Sequence, residues 1–266
     1  MNKAVRIIRR NWIQLPGIVV FLIIWEVMAI ILGPFKLPSI FVIIPRFFKY
    51  ITNIDLLAIQ GGGNQGFLPH LFNTMTKTLI GAFSGITIGI TIGFIISYNP
   101  YAKAILKHII GALRTIPPLA AIPFFIMWFG PTQEAQMAML VFYSSVMLIV
   151  NTVNAVANVD KVYINYAYTL GASKKRAYAN IILPMIMPEI IGGVRVALGI
   201  SWGIQIVTEL MGSPKGMGQV FSMTIPMQAL DIIICGILWI TLLAIVTDLI
   251  VTRTARWFTR WMPSQE

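Results

Sequence analysis

Runs of about twenty apolar residues, each closed by glycine, proline or a short charged stretch, recur along this chain. A run of that length spans the hydrocarbon layer of a bilayer as a helix, and only helices or closed barrels satisfy their own backbone in lipid. The runs are Leu15–Leu32, Thr78–Tyr98, Ala104–Phe129, Glu134–Val156, Ile190–Met211 and Ala229–Thr252. Only 11% of the 266 residues are charged, against about 25% in a soluble domain, and mean hydropathy is +0.80. The expected fold is an all-α polytopic membrane protein with six transmembrane helices. Residues 1–14 form a basic N-terminal segment, 15–252 a single transmembrane domain, and 253–266 a basic tail.

Charge sets the orientation. The formal net charge is +11, but the lysines and arginines sit in short loops and termini, as the positive-inside rule requires of a membrane protein. Nucleic acid is therefore not an expected partner, whereas membrane lipid is. With the N-terminus inside, fourteen of the 20 Lys and Arg fall in the cytoplasm, Arg114 lies in the third span, and five lie outside. Those five are Lys36, Arg46, Lys49, Lys77 and Lys215. Both termini and the polar stretch 158–189 are then cytoplasmic. Lys3, Arg6, Arg9 and Arg10 precede the first apolar run as in a signal peptide, but no small-residue cleavage site comes after it, so an uncleaved span is expected.

Several spans carry more than apolar residues. Gly81, Gly85, Gly89 and Gly93 fall at spacing four, one stripe on which a second helix can pack closely. Thr87 and Thr91 repeat at the same spacing on another face and could meet a partner or a water path. Arg114, Pro117, Pro118 and Pro123 lie in the third run, where prolines free carbonyls that need neighbours or water. Ser201, Gln205 and Glu209 make one face of the fifth span polar, the second candidate stretch of a substrate path. Glu209 and Asp248 lie near span ends, where solvation is the competing role, and Glu26 reads as a structural hydrogen-bonding residue. Between the first two spans, Val42–Ile54 reads as an interfacial helix, with Phe47, Tyr50 and Ile51 at the interface and Arg46 and Lys49 in water.

The stretch Val162–Pro184, VYINYAYTLGASKKRAYANIILP, interrupts two long apolar blocks with basic and polar residues. Ala167, Leu170, Ala177 and Ile181 recur near helical spacing, and Gly171 breaks the pattern. Two short helices with a glycine corner are expected, the second ended by Leu183-Pro184 because proline cannot donate the next helical hydrogen bond.

Gly171, nine residues, Ile181, one residue, then Leu183-Pro184 resembles the "EAA" loop of binding-protein-dependent ABC importer permeases. Asn165 stands where that family has its glutamate, and Ala167 matches its second alanine. The run RTIPPLAAIPFFIMWFG from Arg114 is similar to the corresponding segment of the nitrate/sulfonate/taurine subgroup. The resemblance, over about Pro38–Trp261, implies a type I importer permease in the bacterial cytoplasmic (inner) membrane. It implies a cytoplasmic coupling helix that docks on a separate ATPase through Asn165, Ala167, Leu170, Gly171, Ala172, Ser173, Ala177, Ile181, Leu183 and Pro184. The implied partners are two ATPase copies, a second permease copy in a homodimer, and an extracytoplasmic substrate-binding protein. The implied cargo is a small, often anionic nutrient such as nitrate, a sulfonate, taurine or bicarbonate.

No phosphate-binding loop is present: Gly61–Gly63 leads into Asn64, and no glycine is followed directly by lysine. ATP and Mg are therefore expected only in the partner ATPase, and the chain itself is not expected to be an enzyme or to hold a cofactor. His70 and His108 have no ligand partner at metal-site spacing, and Cys235 sits in an apolar run as a packing residue. The rival reading is an ion-coupled secondary transporter. It calls for internal repeats and intramembrane coupling charges, and gradient-driven uptake by the chain alone would discriminate it.

Overall fold

The computed structural model describes residues 3–59 and 66–259. The Gly61–Gly63 run, Asn64 and Arg260 lie outside the described residues. The described residues fall into two compact units, Met1–His70 with Val220–Trp239, and Leu71–Gln219 with Ile240–Glu266.

The fold is helical, with no strand among the described residues. Its helices are α1 (Lys3–Leu32), α2 (Ile40–Lys49), α3 (Asp55–Ile59), α4 (Leu68–Tyr98), α5 (Pro100–Thr115) and α6 (Pro118–Phe129). They continue as α7 (Gln133–Ala157), α8 (Lys161–Thr169), α9 (Lys174–Ala177), α10 (Leu183–Leu210), α11 (Met217–Thr224) and α12 (Leu230–Phe258). A π-helical turn, Tyr178–Ile182, joins α9 to α10.

Four described stretches are long and apolar enough to cross a membrane: Leu68–Tyr98, Gln133–Ala157, Lys174–Leu210 and Leu230–Trp257. The expected third span is not one straight helix. His108–Thr115 and Pro118–Phe129 meet at a bend of 96°. Pro117 lacks the N–H that would continue the ladder and drives Ile116 into extended backbone, ψ 117°. Pro118 then starts α6 at a position where its missing N–H costs nothing. From Lys3 the basic N-terminal residues are helical and run into the apolar part of α1. The apolar part of α1, Pro16–Leu32, has 17 residues, about 26 Å of helix at 1.5 Å per residue.

In the first unit the Glu26 carboxylate accepts from Ser39 Oγ at 2.7 Å and from Ile40 N–H at 3.1 Å, so it fixes the start of α2. That is the structural role expected of it. Trp25 Nε1 donates to Pro38 O at 3.1 Å beside it. The α2 helix ends at Lys49, short of Ile54; only Ile43 is buried along it, and Phe41, Ile44 and Phe48 are exposed beside Arg46 and Lys49, as an interfacial helix requires. Phe47 stacks on Trp239 with ring centroids 4.5 Å apart, and Trp239 Nε1 donates to Phe47 O at 2.9 Å. Arg46 is exposed, as expected, and also pairs with Asp231 at 2.6 Å; Tyr50 donates to the same carboxylate. Burial, then this hydrogen bond, pushes the Tyr50 phenol well above its ordinary range, so it stays a donor.

In the second unit α4 lies along α7 through the glycine stripe. A Cβ at Gly85 would come within 2.6 Å of Val141 O and 2.7 Å of Ser144 Cβ; one at Gly89 would meet Ser145 O at 2.5 Å. Gly81 is as close to Leu140 and Gly93 to Thr152. With no side chain on the stripe, the two backbones approach to contact and gain dispersion energy along four turns. Ala82, Ile86, Leu148, Ala197 and Leu198 close the core between α4, α7 and α10. Arg195 holds Asp248 with both Nε and Nη2, at 2.6 and 2.8 Å, so Asp248 is an ion-pair partner rather than a merely solvated carboxylate.

Candidate functional site

Two places in the second unit carry the residues singled out above. The first is the polar stretch after α7. Asp160 caps α8, its Oδ1 accepting from Val162 N–H at 2.9 Å. The helix ends in a paired-bond C-cap: Gly171 N–H donates to Tyr168 O and Ala172 N–H to Ala167 O, each at 3.0 Å. This geometry needs a left-handed residue, and Gly171 supplies it at φ +79°. Ser173 then caps α9, accepting from Arg176 N–H at 3.4 Å. The glycine corner between two short helices is therefore present, built by the cap.

The second half does not end at Leu183-Pro184. The helical path runs unbroken from Lys174 to Leu210. Leu183 N–H reaches back five residues to Tyr178 O, and this wider turn accommodates Pro184, which has no N–H of its own to donate. Lys174 Nζ ties the corner to the end of α4, donating to Tyr98 O at 2.9 Å and lying 4.3 Å above the Tyr98 ring.

Burial sorts the residues that the family resemblance assigned to docking. Asn165, Leu170, Gly171 and Ser173 are exposed, as is Leu183; Ala172, Ile181 and Pro184 are half-buried. Ala167 and Ala177 are turned inward, at 5% and 1% exposure, and pack the corner itself rather than offering a contact. The exposed bulk comes from residues the small-residue pattern hid: Tyr163, Tyr166 and Leu170, at i, i+3 and i+7, form an outward apolar face with Val162 beside it. Their spacing was the available signal. An aromatic face with no intramolecular cover is what an interaction surface looks like.

The second place is the polar face of α10. Ser201, Gln205 and Glu209 are all buried, so in this conformation they do not border open water. Ser201 Oγ lies 3.1 Å from Ser144 Oγ. Glu209 sits in a closed cradle, accepting from Gln205 Nε2 at 2.8 Å, Gly218 N–H at 3.0 Å and Thr74 Oγ1 at 2.9 Å. Thr74 Oγ1 in turn accepts from Met217 N–H at 2.9 Å. A Cβ at Gly216 or Gly218 would fall 2.3 or 2.4 Å from Glu209 atoms, so only glycine lets residues 216–218 fold over the carboxylate. Lys77, expected in an exterior loop, is buried in α4 and donates to Gln136 Oε1 at 3.3 Å and Ser213 Oγ at 3.4 Å. Solvation, the competing role for Glu209, is excluded in this conformation.

Thr87 and Thr91 lie apart from this face. They are exposed on α4 and donate to Phe83 O and Thr87 O of their own helix.

Comparison with known proteins gives one consistent picture. The family described as binding-protein-dependent transport system inner membrane component matches residues 85–262. The taurine transport system permease protein of Escherichia coli (strain K12) is 28% identical over 204 residues, 75% of this chain and 74% of that protein. A permease assigned to aliphatic sulfonate transport in the same strain is 30% identical over 195 residues, covering 73% of this chain and 74% of the relative. Among solved structures, a bacterial ABC transporter involved in import of the acidic polysaccharide alginate matches with a TM-score of 0.63 at 16% identity, over 97% of this chain and all of that one.

Proposed function

Because the chain belongs to the binding-protein-dependent transport system inner membrane component family, we propose that it is the permease subunit of an ATP-driven importer for a small anionic nutrient. The taurine and sulfonate permeases among its relatives place it with the nitrate/sulfonate/taurine-type members of that family, in the bacterial inner membrane. In this reading the chain crosses the membrane six times, Pro16–Leu32 and the bent α5–α6 pair completing the count. Both termini and α8–α9 face the cytoplasm. It works as a homodimer with two copies of an ATPase, which holds ATP and Mg, and with an external binding protein.

The observation that carries the proposal is the uncovered aromatic face of α8, joined through the glycine corner to the α9–α10 helix that carries Ser201, Gln205 and Glu209. Helix-in-groove docking needs this kind of short, stiff, apolar-faced element. ATP-driven closure of the ATPase then moves α8–α9, and α10 carries the movement into the bundle. The substrate is sulfonate-like by the company the chain keeps, and its choice among such molecules rests mainly with the binding protein.

The test is reconstitution of the permease with its neighbouring ATPase and binding protein in liposomes. Uptake of a labelled sulfonate that requires internal ATP, and is absent without the ATPase, is expected. Gradient-driven uptake by the permease alone would overturn the proposal.

A further inference from the structure

Arg114 sits in the last turn of α5, immediately before the 96° bend. Among the described residues it has neither an ion-pair nor a hydrogen-bond partner. An arginine inside an apolar run is costly and is normally paired or turned to a water-filled space. Arg114 is exposed and lines a cavity of about 280 Å³ bordered by the bend, α7 and α10. That is near the lower bound of about 300 Å³ for small-molecule sites.

Two further features of the wall bear on the chemistry of an occupant. The N-terminus of α6 opens at the cavity through Pro118 with no side-chain cap, so the positive end of a twelve-residue helix adds to the Arg114 charge. Ser201 already donates to Ala197 O at 2.8 Å, so Ser144 donates to Ser201 and the pair presents lone pairs but no spare proton. The rest of the wall is largely aliphatic, with Val146, Met147, Ile200 and Ile204. The Arg114 charge and the α6 terminus at one end and an apolar wall at the other suit an anion that carries a short carbon chain. A bare inorganic oxyanion leaves the apolar wall unused.

Resting on the importer reading above, we propose that this cavity is a station for the cargo on its way through the membrane. Arg114 holds a sulfonate or carboxylate group, and the Val146–Ile204 wall takes the organic stem. Discontinuous helices at membrane depth are tolerated where they border such a cavity, because ligand or water can meet the freed backbone groups.

Saturation-transfer NMR on the purified permease–ATPase complex in phosphatidylcholine nanodiscs, without binding protein or anionic lipid, tests this directly. The probe is butanesulfonate at millimolar concentration. Signal transfer to its methyl group is expected in the wild type. Arg114→Gln should lower apparent affinity about tenfold, the worth of one charge-assisted hydrogen bond. Nitrate should compete poorly. Ile200→Trp fills the cavity without altering a charge and should abolish the signal even if Arg114→Gln does not assemble. Arg253→Gln, which does not line the cavity, should leave it unchanged. No transfer in the wild type, or equal transfer in the wild type and Ile200→Trp, overturns the inference and leaves ATP-driven uptake standing. Arg114-dependent binding with no ATP-driven uptake supports the cavity as a site and overturns the importer reading instead.

Discussion

Glu209 and Gly218 are joined twice: the Glu209 carboxylate accepts the Gly218 N–H at 3.0 Å, and Gly218 has no side chain because Glu209 Cβ occupies the space. The contact holds the end of a membrane helix against the start of α11. Gly218→Ala would put its Cβ 2.4 Å from Glu209 Cβ and 2.6 Å from Ile206 O. Backbone must move, at a cost of about 1–3 kcal/mol. A lower unfolding temperature in detergent is the expected reading, and an unchanged one would mean the loop is free to rearrange.

Glu209→Ala removes the acceptor for Gln205 Nε2, Gly218 N–H and Thr74 Oγ1 together. Buried donors left without partners cost about 1–3 kcal/mol each. Glu209→Gln keeps the shape and one carbonyl oxygen, so it should destabilise less than alanine. It should reduce uptake more than it reduces ATPase co-purification, because the cradle lies at the far end of α10 from α9. Equal uptake in wild type and Glu209→Gln would confine Glu209 to a structural role.

The glycine stripe gives a sharper comparison. Gly89→Leu pushes a side chain into Ser145 O, whereas Ile88→Leu changes a residue that is 43% exposed. The first should lower the yield of monodisperse protein severalfold and the second should not. Similar size-exclusion profiles for both would show that α4 and α7 can part without cost.

Gly171 is constrained by its backbone rather than by its neighbours. Among the described residues, none beyond its two chain neighbours lies within 4 Å of a Cβ placed there, yet its φ is +79°. Left-handed backbone costs about 1–2 kcal/mol for ordinary residues, and asparagine adopts it most easily. Gly171→Asn should therefore fold nearly as well as the wild type, while Gly171→Val should be less stable. If the ATPase packs on the corner, Gly171→Arg will also lose ATPase in co-purification, beyond what its stability explains. Tyr166→Ala on the exposed face should weaken the same association with no loss of stability. Intact association in both variants would remove α8–α9 as the docking element.

Orientation is measurable by labelling. A cysteine at Ser173, in a chain whose buried Cys235 is replaced by serine, should react only with reagents that reach the cytoplasm. Labelling from outside in intact cells would reverse the topology and remove the docking reading with it.

The features legible in the residues alone are those governed by local rules. Four glycines at spacing four announce a contact face whatever helix fills it, and Gly171 announces a corner because few other residues can turn there. Hydropathy locates the long spans because the bilayer imposes their length. It puts Lys77 and Glu209 near water because it measures depth along a helix and not what folds over the end. Residues 216–218 look like a punctuated loop, and their fit over a carboxylate needs α4, α10 and α11 in place. Pro117 and Pro118 announce a disturbance, but the 96° turn depends on what α6 packs against: its Ile122 clusters with Met139, Leu140 and Ile204. Tyr163 and Tyr166 are legible by spacing, yet the match to small residues points elsewhere in the same stretch.

The π turn at Tyr178–Ile182 has a geometric consequence of its own. Such a turn acts as one residue inserted into an otherwise continuous α-helix, which displaces the angular phase of the residues before it by about 100° relative to those after it. Lys174, Lys175 and Arg176 therefore point in directions that a count back from Leu183 would misassign by a quarter of a circle or more. Deleting one residue between Tyr178 and Ile182 would restore the phase without shortening the rod appreciably, and would swing the basic turn of α9 away from Tyr98. The azimuth of the Gly171 corner is thus set independently of the length of the helix that bears it.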